Sequence, residues 1–132
     1  MWGDKFLPQT KVSKLKLNIL LTYKLLKVIP LVDLVITHGG NNTLTESFYY
    51  GKPMIVLPLF GDQHDNAQRI HEKGFGIRLK PFRATPKEFN DAIEKLLNDN
   101  ELKVKMEKIA MRIQNSKSNE KAAHLIEGVL NK

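Results

Sequence analysis

The 132-residue chain contains no cysteine, so disulfide staples and thiolate metal sites are excluded. It has a single tryptophan and 8% aromatic residues, and neither an RNP-type aromatic motif nor zinc-finger spacing. No uninterrupted apolar run approaches the roughly 18–20 residues that a membrane span needs. The opening stretch "MWGDKFLPQTK" lacks the apolar segment of a secretory signal. Acid is scarce: 14 Asp and Glu stand against 21 Lys and Arg, a net charge of +7. That excess is local. Residues 11–27, "KVSKLKLNILLTYKLLK", carry five lysines and no acid, and removing them from +7 leaves +2 elsewhere. A general nucleic-acid-binding surface is therefore not expected.

What is present is one modest core's worth of apolar residues, 42% of the chain, in an alternating pattern. "DLVITH" (33–38) reads as a buried strand and "NTLTESFYYG" as a short helix closed by Gly51. Thr43 and Glu46 have the spacing of a capping box. "PMIVLPLF" (53–60) reads as a second buried strand, "GDQHDN" as a polar loop, "AQRIHEKG" as a helix and "FGIRLK" as a third strand. Thr85, Pro86 and Glu88 predict a well-capped helix, with Phe89, Ile93, Leu96 and Leu97 along its apolar face. Two more helices are expected at about 101–115 and 119–130. Leu102, Met106, Ile109 and Ile113 line the first; Ala122, Leu125, Ile126, Val129 and Leu130 line the second. Strand and helix in alternation predict an α/β fold, a Rossmann-like parallel sheet with crossover helices.

In such a sheet ligands bind at the carboxyl ends of the strands. "HGGNNT" falls there, between a strand and a helix start. A helix N-terminus presents N–H groups and partial positive charge that favour a phosphate. Gly39 and Gly40 would permit close approach, Asn42 and Thr43 add donors, and the His38 ring can donate to an anionic oxygen. The plain structural alternative is a strand-to-helix turn with a cap and no ligand. Glu46, one turn into the helix, can accept from two adjacent sugar hydroxyls or serve Thr43 as a cap partner. Asp62 and Gln63 reach the same sheet edge, either as sugar readers or as a solvated loop. The two polar strand ends together favour a ligand over either alternative.

"FLPQ" (6–9), "HGGNNTLTES" (38–47) and "GKPMIVLPLFGDQHDN" (51–66) together resemble the donor-binding half of UDP-glycosyltransferases, over most of the chain from Phe6 onward. The resemblance implies the C-terminal half of a GT-B glycosyltransferase, two Rossmann-like domains about a cleft. It places Phe6 on the uracil, where the family usually has tryptophan, and Gln9 near the nucleoside. It gives the diphosphate to His38, Gly40, Asn42 and Thr43, the ribose to Glu46, and the transferred sugar to Asp62 and Gln63. Asn41 stands where plant members carry tryptophan. His64, Asp65 and Asn66 lie near the site without an assigned role. The implied reaction is inverting transfer of a hexose from a UDP-sugar to a small lipophilic acceptor, without a metal or other cofactor. Glucose-type donors fit Asp62 and Gln63, with glucuronic acid and N-acetylglucosamine left open.

The same resemblance puts the family's catalytic histidine–acid pair and acceptor pocket in a domain this chain lacks. The expectation is a partial C-terminal nucleotide-sugar-binding domain over 1–132, no catalytic residue in this chain, and no transferase activity on its own. Vertebrate members carry a membrane span after this region, and "GVLNK" ends without one, so a cytoplasmic location is expected. Deleting residues 12–27 joins the blocks as "FLPQTKVIPLVDLVITHGG", the family's spacing, which marks 12–27 as an insertion. It reads as an added helix, a basic partner-binding element or translated intron, and its Lys, Leu, Ile, Asn and Tyr content, typical of AT-rich codons, favours the last. Two other functions stay in view: a non-catalytic module that binds UDP or a UDP-sugar, and a basic interaction protein acting through residues 11–27.

Overall fold

The computed structural model describes residues 25–130. Phe6, Gln9 and nearly all of the 12–27 insertion lie outside the described residues. Helix α1 (Leu25–Val28) runs into a 3-10 turn (Ile29–Leu31) and then strand β1 (Val35–Thr37). Helix α2 (Asn41–Tyr49), strand β2 (Met54–Val56), helix α3 (Gln63–Glu72) and strand β3 (Gly76–Arg78) follow, then helices α4 (Pro86–Asn98), α5 (Asn100–Gln114) and α6 (Ser118–Leu130).

The three strands form one parallel sheet in the order β1-β2-β3. Val35 pairs with Met54 and Met54 with Gly76, so the registers of both ladders meet on β2. Met54, Ile55 and Val56 are fully buried, as a parallel strand covered on both faces must be. α2 makes the crossover from β1 to β2 and α3 the one from β2 to β3. Gly76 lets β3 close on β2: a Cβ there would lie 2.0 Å from the Met54 carbonyl oxygen. Ile29, Leu44, Ala67, Ile70, Ala92, Leu96, Leu102 and Met106 complete the core.

The strands are shorter than the sequence predicts. β2 ends at Val56 because Leu57 and Leu79 make their backbone bonds to Thr37 and Val56 and then diverge, and Pro58 has no N–H to extend a ladder. α3 begins at Gln63, four residues earlier than expected, so "QHDN" is helix rather than loop. α4 has its full capping box. α5 starts on Asp99, whose carboxylate accepts from the Leu102 N–H at 2.8 Å. Met106 seats α5 on α2. The final helix forms as expected but contributes no buried residue: among the described residues none of α6 is buried, and Leu125, Ile126, Val129 and Leu130 are 62–78% exposed.

Candidate functional site

Parallel strands send their following loops to one edge, and the first two of those loops carry the polar motifs. Gly39 makes the turn after β1 with φ +93°, a conformation that L side chains rarely adopt. Its missing side chain is also demanded by packing, since a Cβ would lie 2.8 Å from Val56 Cγ1. A Cβ on Gly40 would meet His38 Nε2 at 2.6 Å. Gly39 is thus required by the protein's own backbone and packing, and Gly40 leaves the His38 ring where it lies, whether or not a ligand approaches. The Gly39 N–H donates to Thr37 Oγ1 at 3.2 Å, which removes it from the set of N–H groups open to an anion.

The start of α2 departs from the expected capping box. The helix begins at Asn41 with Gly40 as N-cap, and no side chain caps it. Thr43 is therefore the third helical residue rather than the cap, and Glu46 lies a further turn along. The N–H groups of the first turn, Asn41 to Thr43, have no carbonyl four residues back within the helix. In this α2 contrasts with α4 and α5, which both have side-chain caps. Glu46 is left with one carboxylate oxygen, Oε2, buried and without a hydrogen-bond partner among the described residues. Leaving such an oxygen unsatisfied costs about 1–3 kcal/mol. It shares a helix face with Asn42, four residues earlier.

After β2, Gln63 is 5% exposed. Its Oε1 accepts from the Leu59 and Phe60 N–H groups at 3.0 and 3.3 Å. The side-chain oxygen thus braces the β2–α3 loop, and its amide NH2 remains as the donor end. Asp62 is exposed and reaches across to the first loop: Asn41 Nδ2 donates to its Oδ2 at 3.1 Å. Asn66 joins them, donating to the Gly39 carbonyl and to Asn41 Oδ1, each at 3.0 Å. Thr37, Asn41 and Asn66 carried no binding role in the sequence reading. For Asn66 a signal existed: it is four residues from Asp62, hence on one helix face once "QHDN" is read as helix.

A cleft of about 440 Å³ opens at the carboxyl ends of β1 and β2, lined by Ile36, Thr37, His38, Thr43, Leu57 and Leu59 among others. A second groove of about 490 Å³ runs between α2 and α3 over Leu44, Phe48, Ile70 and Phe75 and touches neither His38 nor Thr43. The first cleft combines aliphatic walls with the polar groups of Thr37, His38 and Thr43; the second is lined as well by Asn41, Asn66, Arg69 and Lys73. Among the described residues no helix is long and apolar enough to cross a membrane, and no three His, Asp or Glu side chains converge as a cation cage.

Comparison with known proteins bears on the family and the fold. Residues 18–127 match the family model described as "UDP-glucoronosyl and UDP-glucosyl transferase". Human UDP-glucuronosyltransferases 1A9 and 1A1 are each 39% identical over 74 residues, which is 56% of this chain and 14% of theirs. The chain therefore spans only a small part of these relatives. Among solved structures, the glycosyltransferase of kitacinnamycin superposes with a TM-score of 0.72 at 28% identity, covering 77% of this chain and 26% of that one. CalG4, the calicheamicin glycosyltransferase, gives 0.71 at 26% identity, covering 80% and 28%. These are GT-B glycosyltransferases, and the parallel sheet with its crossover helices is the Rossmann-like α/β arrangement of one of their halves. With the family match extending over most of its length, this chain belongs to the UDP-glucuronosyl and UDP-glucosyl transferase family.

Proposed function

We propose that this chain is the donor-binding part of a UDP-sugar-dependent glycosyltransferase. The observation that carries it is the buried Oε2 of Glu46, which has no hydrogen-bond partner among the described residues, one turn along a helix whose start no side chain caps. A fold does not keep a desolvated acceptor idle without cost. A pair of ribose hydroxyls would satisfy it. The first-turn N–H groups of α2, with Asn42, Thr43 and His38, supply donors for the diphosphate. Gly40 contributes by leaving room for the His38 ring, and Gly39 by shaping the turn. Asp62 accepts from, and Gln63 donates to, the transferred sugar. Phe6 and Gln9 keep the nucleoside roles that the family resemblance gives them.

In the transfer step the acceptor hydroxyl oxygen attacks the anomeric carbon from the face opposite the leaving group. The bond from that carbon to the β-phosphate oxygen breaks, and its electron pair leaves with UDP. Negative charge grows on the diphosphate, where donors already in place lower the barrier. The hydroxyl's proton needs a base, and we assign that role to no residue of this chain. Binding of a small lipophilic acceptor is likewise assigned elsewhere, so the chain alone is expected to bind donor without transferring sugar. The 12–27 segment is read as an insertion between the nucleoside and diphosphate contacts.

Calorimetry with UDP and UDP-glucose tests the proposal. Wild-type chain should bind both, and Glu46→Gln should weaken each about tenfold or more, the loss of charge-assisted hydrogen bonds. Its thermal midpoint should hold or rise, because a neutral amide costs less to leave buried and unpaired than a carboxylate. Absence of binding, with no change in the amide signals of His38–Thr43 at saturating UDP, overturns it.

A further inference from the structure

Three side chains that belong to two different loops meet at the carboxyl edge of the sheet. Asn41 Nδ2 donates to Asp62 Oδ2 at 3.1 Å. Asn66 Nδ2 donates to the same Oδ2 at 3.3 Å, to Asn41 Oδ1 at 3.0 Å and to the Gly39 carbonyl at 3.0 Å. The Asn66 amide has two hydrogens for three acceptors, so one of them is shared. Both donors to Asp62 converge on one oxygen. Its other oxygen, Oδ1, takes no side-chain donor among the described residues, and Asp62 does not cap α3.

We infer that Asn41 and Asn66 form an amide clamp that ties the turn after β1 to the start of α3 and orients the Asp62 carboxylate, turning Oδ1 toward a sugar hydroxyl. The inference rests on the donor-binding reading above and adds two positioning residues to it. The two amides have different reach. The Asn41 side chain bonds to Asp62 and to Asn66 and to no backbone group among the described residues. Asn66 acts on Asp62 and, through the Gly39 carbonyl, on the backbone that leads into the first turn of α2. Without the clamp, an exposed aspartate beside Gly61 would sample several rotamers and would lose part of its binding free energy in being ordered.

The different reach gives different expected losses. Each hydrogen bond removed is worth about fivefold in an equilibrium constant. Asn41→Ala removes the bond given to Asp62 and the one accepted from Asn66; it should weaken UDP-glucose by about fivefold or more and leave UDP, which has no transferred sugar, within twofold. Asn66→Ala should weaken both ligands. In the ligand-free chain, hydrogen exchange at the backbone amides of residues 38–43 should quicken about fivefold in Asn66→Ala and stay near wild type in Asn41→Ala. A purely structural pair would lower the melting temperature and weaken UDP and UDP-glucose equally. That outcome, or unchanged exchange at residues 38–43 in Asn66→Ala, overturns the clamp. A wild-type chain that binds neither ligand yet shows the exchange contrast sinks the donor reading and leaves the clamp joining the two loops in place.

Discussion

Gly39 combines a positive φ, a neighbour at 2.8 Å from any added Cβ, and an N–H already given to Thr37. Gly39→Ala should therefore destabilise the chain by about 1–3 kcal/mol, the cost of a side chain in that backbone region, with the collision against Val56 in addition. Urea unfolding measures it. Adding Val56→Ala should relieve the collision and leave the backbone part, so the double variant should lose less than the two single losses added. At this scale the reading from sequence reached the residues whose chemistry is local. His38, Thr43 and Glu46 stand out as candidates because they flank a glycine turn at a strand end, and it is their conjunction with the polar end of the next strand that suggests a ligand. Asn41 and Asn66 do not stand out, because their hydrogen bonds cross 21 to 27 residues of chain and exist only once two loops are side by side. Gln63 was found for its amide, yet its oxygen is spent on the loop's own N–H groups, which no spacing rule announces.

Among the elements, α4 was the most legible, since its signals are all within four residues. Thr85 Oγ1 accepts from the Glu88 N–H at 3.2 Å, and the Glu88 carboxylate accepts from the Thr85 N–H at 2.7 Å and the Thr85 hydroxyl at 2.8 Å. The backbone donor first, then the hydroxyl, hold the Glu88 carboxyl below its ordinary range. A carboxyl whose folded value is lowered adds stability above its unfolded value and loses it as pH falls through the folded one. The thermal midpoint of wild type should exceed that of Glu88→Gln near neutral pH. The gap should close as pH drops below the usual glutamate range. A gap independent of pH would show that the ionised form adds nothing. Thr85→Ala should cost about 1 kcal/mol. α2 carried the same Thr-x-x-Glu pattern and did not become a box, because the chain enters the helix at Gly40, three residues before Thr43. The pattern states which residues can cap; the preceding turn decides which one is in position. The polar run at the start of α3 reads as a loop for a related reason: its apolar side is short, and Gln63 is buried for a hydrogen bond rather than for hydrophobicity.

For the whole molecule, alternating strands and helices were enough to give a parallel α/β sheet, since crossover chirality and strand burial leave few other arrangements. Where each surface ends was harder to see. Apolar spacing on α6 forecast a packed face, and the described residues offer that face no partner. Removing Ser118–Lys132 should change the unfolding free energy by no more than about 1 kcal/mol, as expected where no core contact is lost. It should also reduce self-association in sedimentation, because an exposed apolar stripe goes with it. A large fall in the melting temperature would mean that α6 is docked in solution. β2, three residues long and paired on both sides, works as the ruler from which both polar loops are measured. One extra codon between Gly51 and Met54 would slip its alternation by half a period and trade one buried face for the other. Drift in length should thus be tolerated at the rims of this domain and forbidden at its centre line.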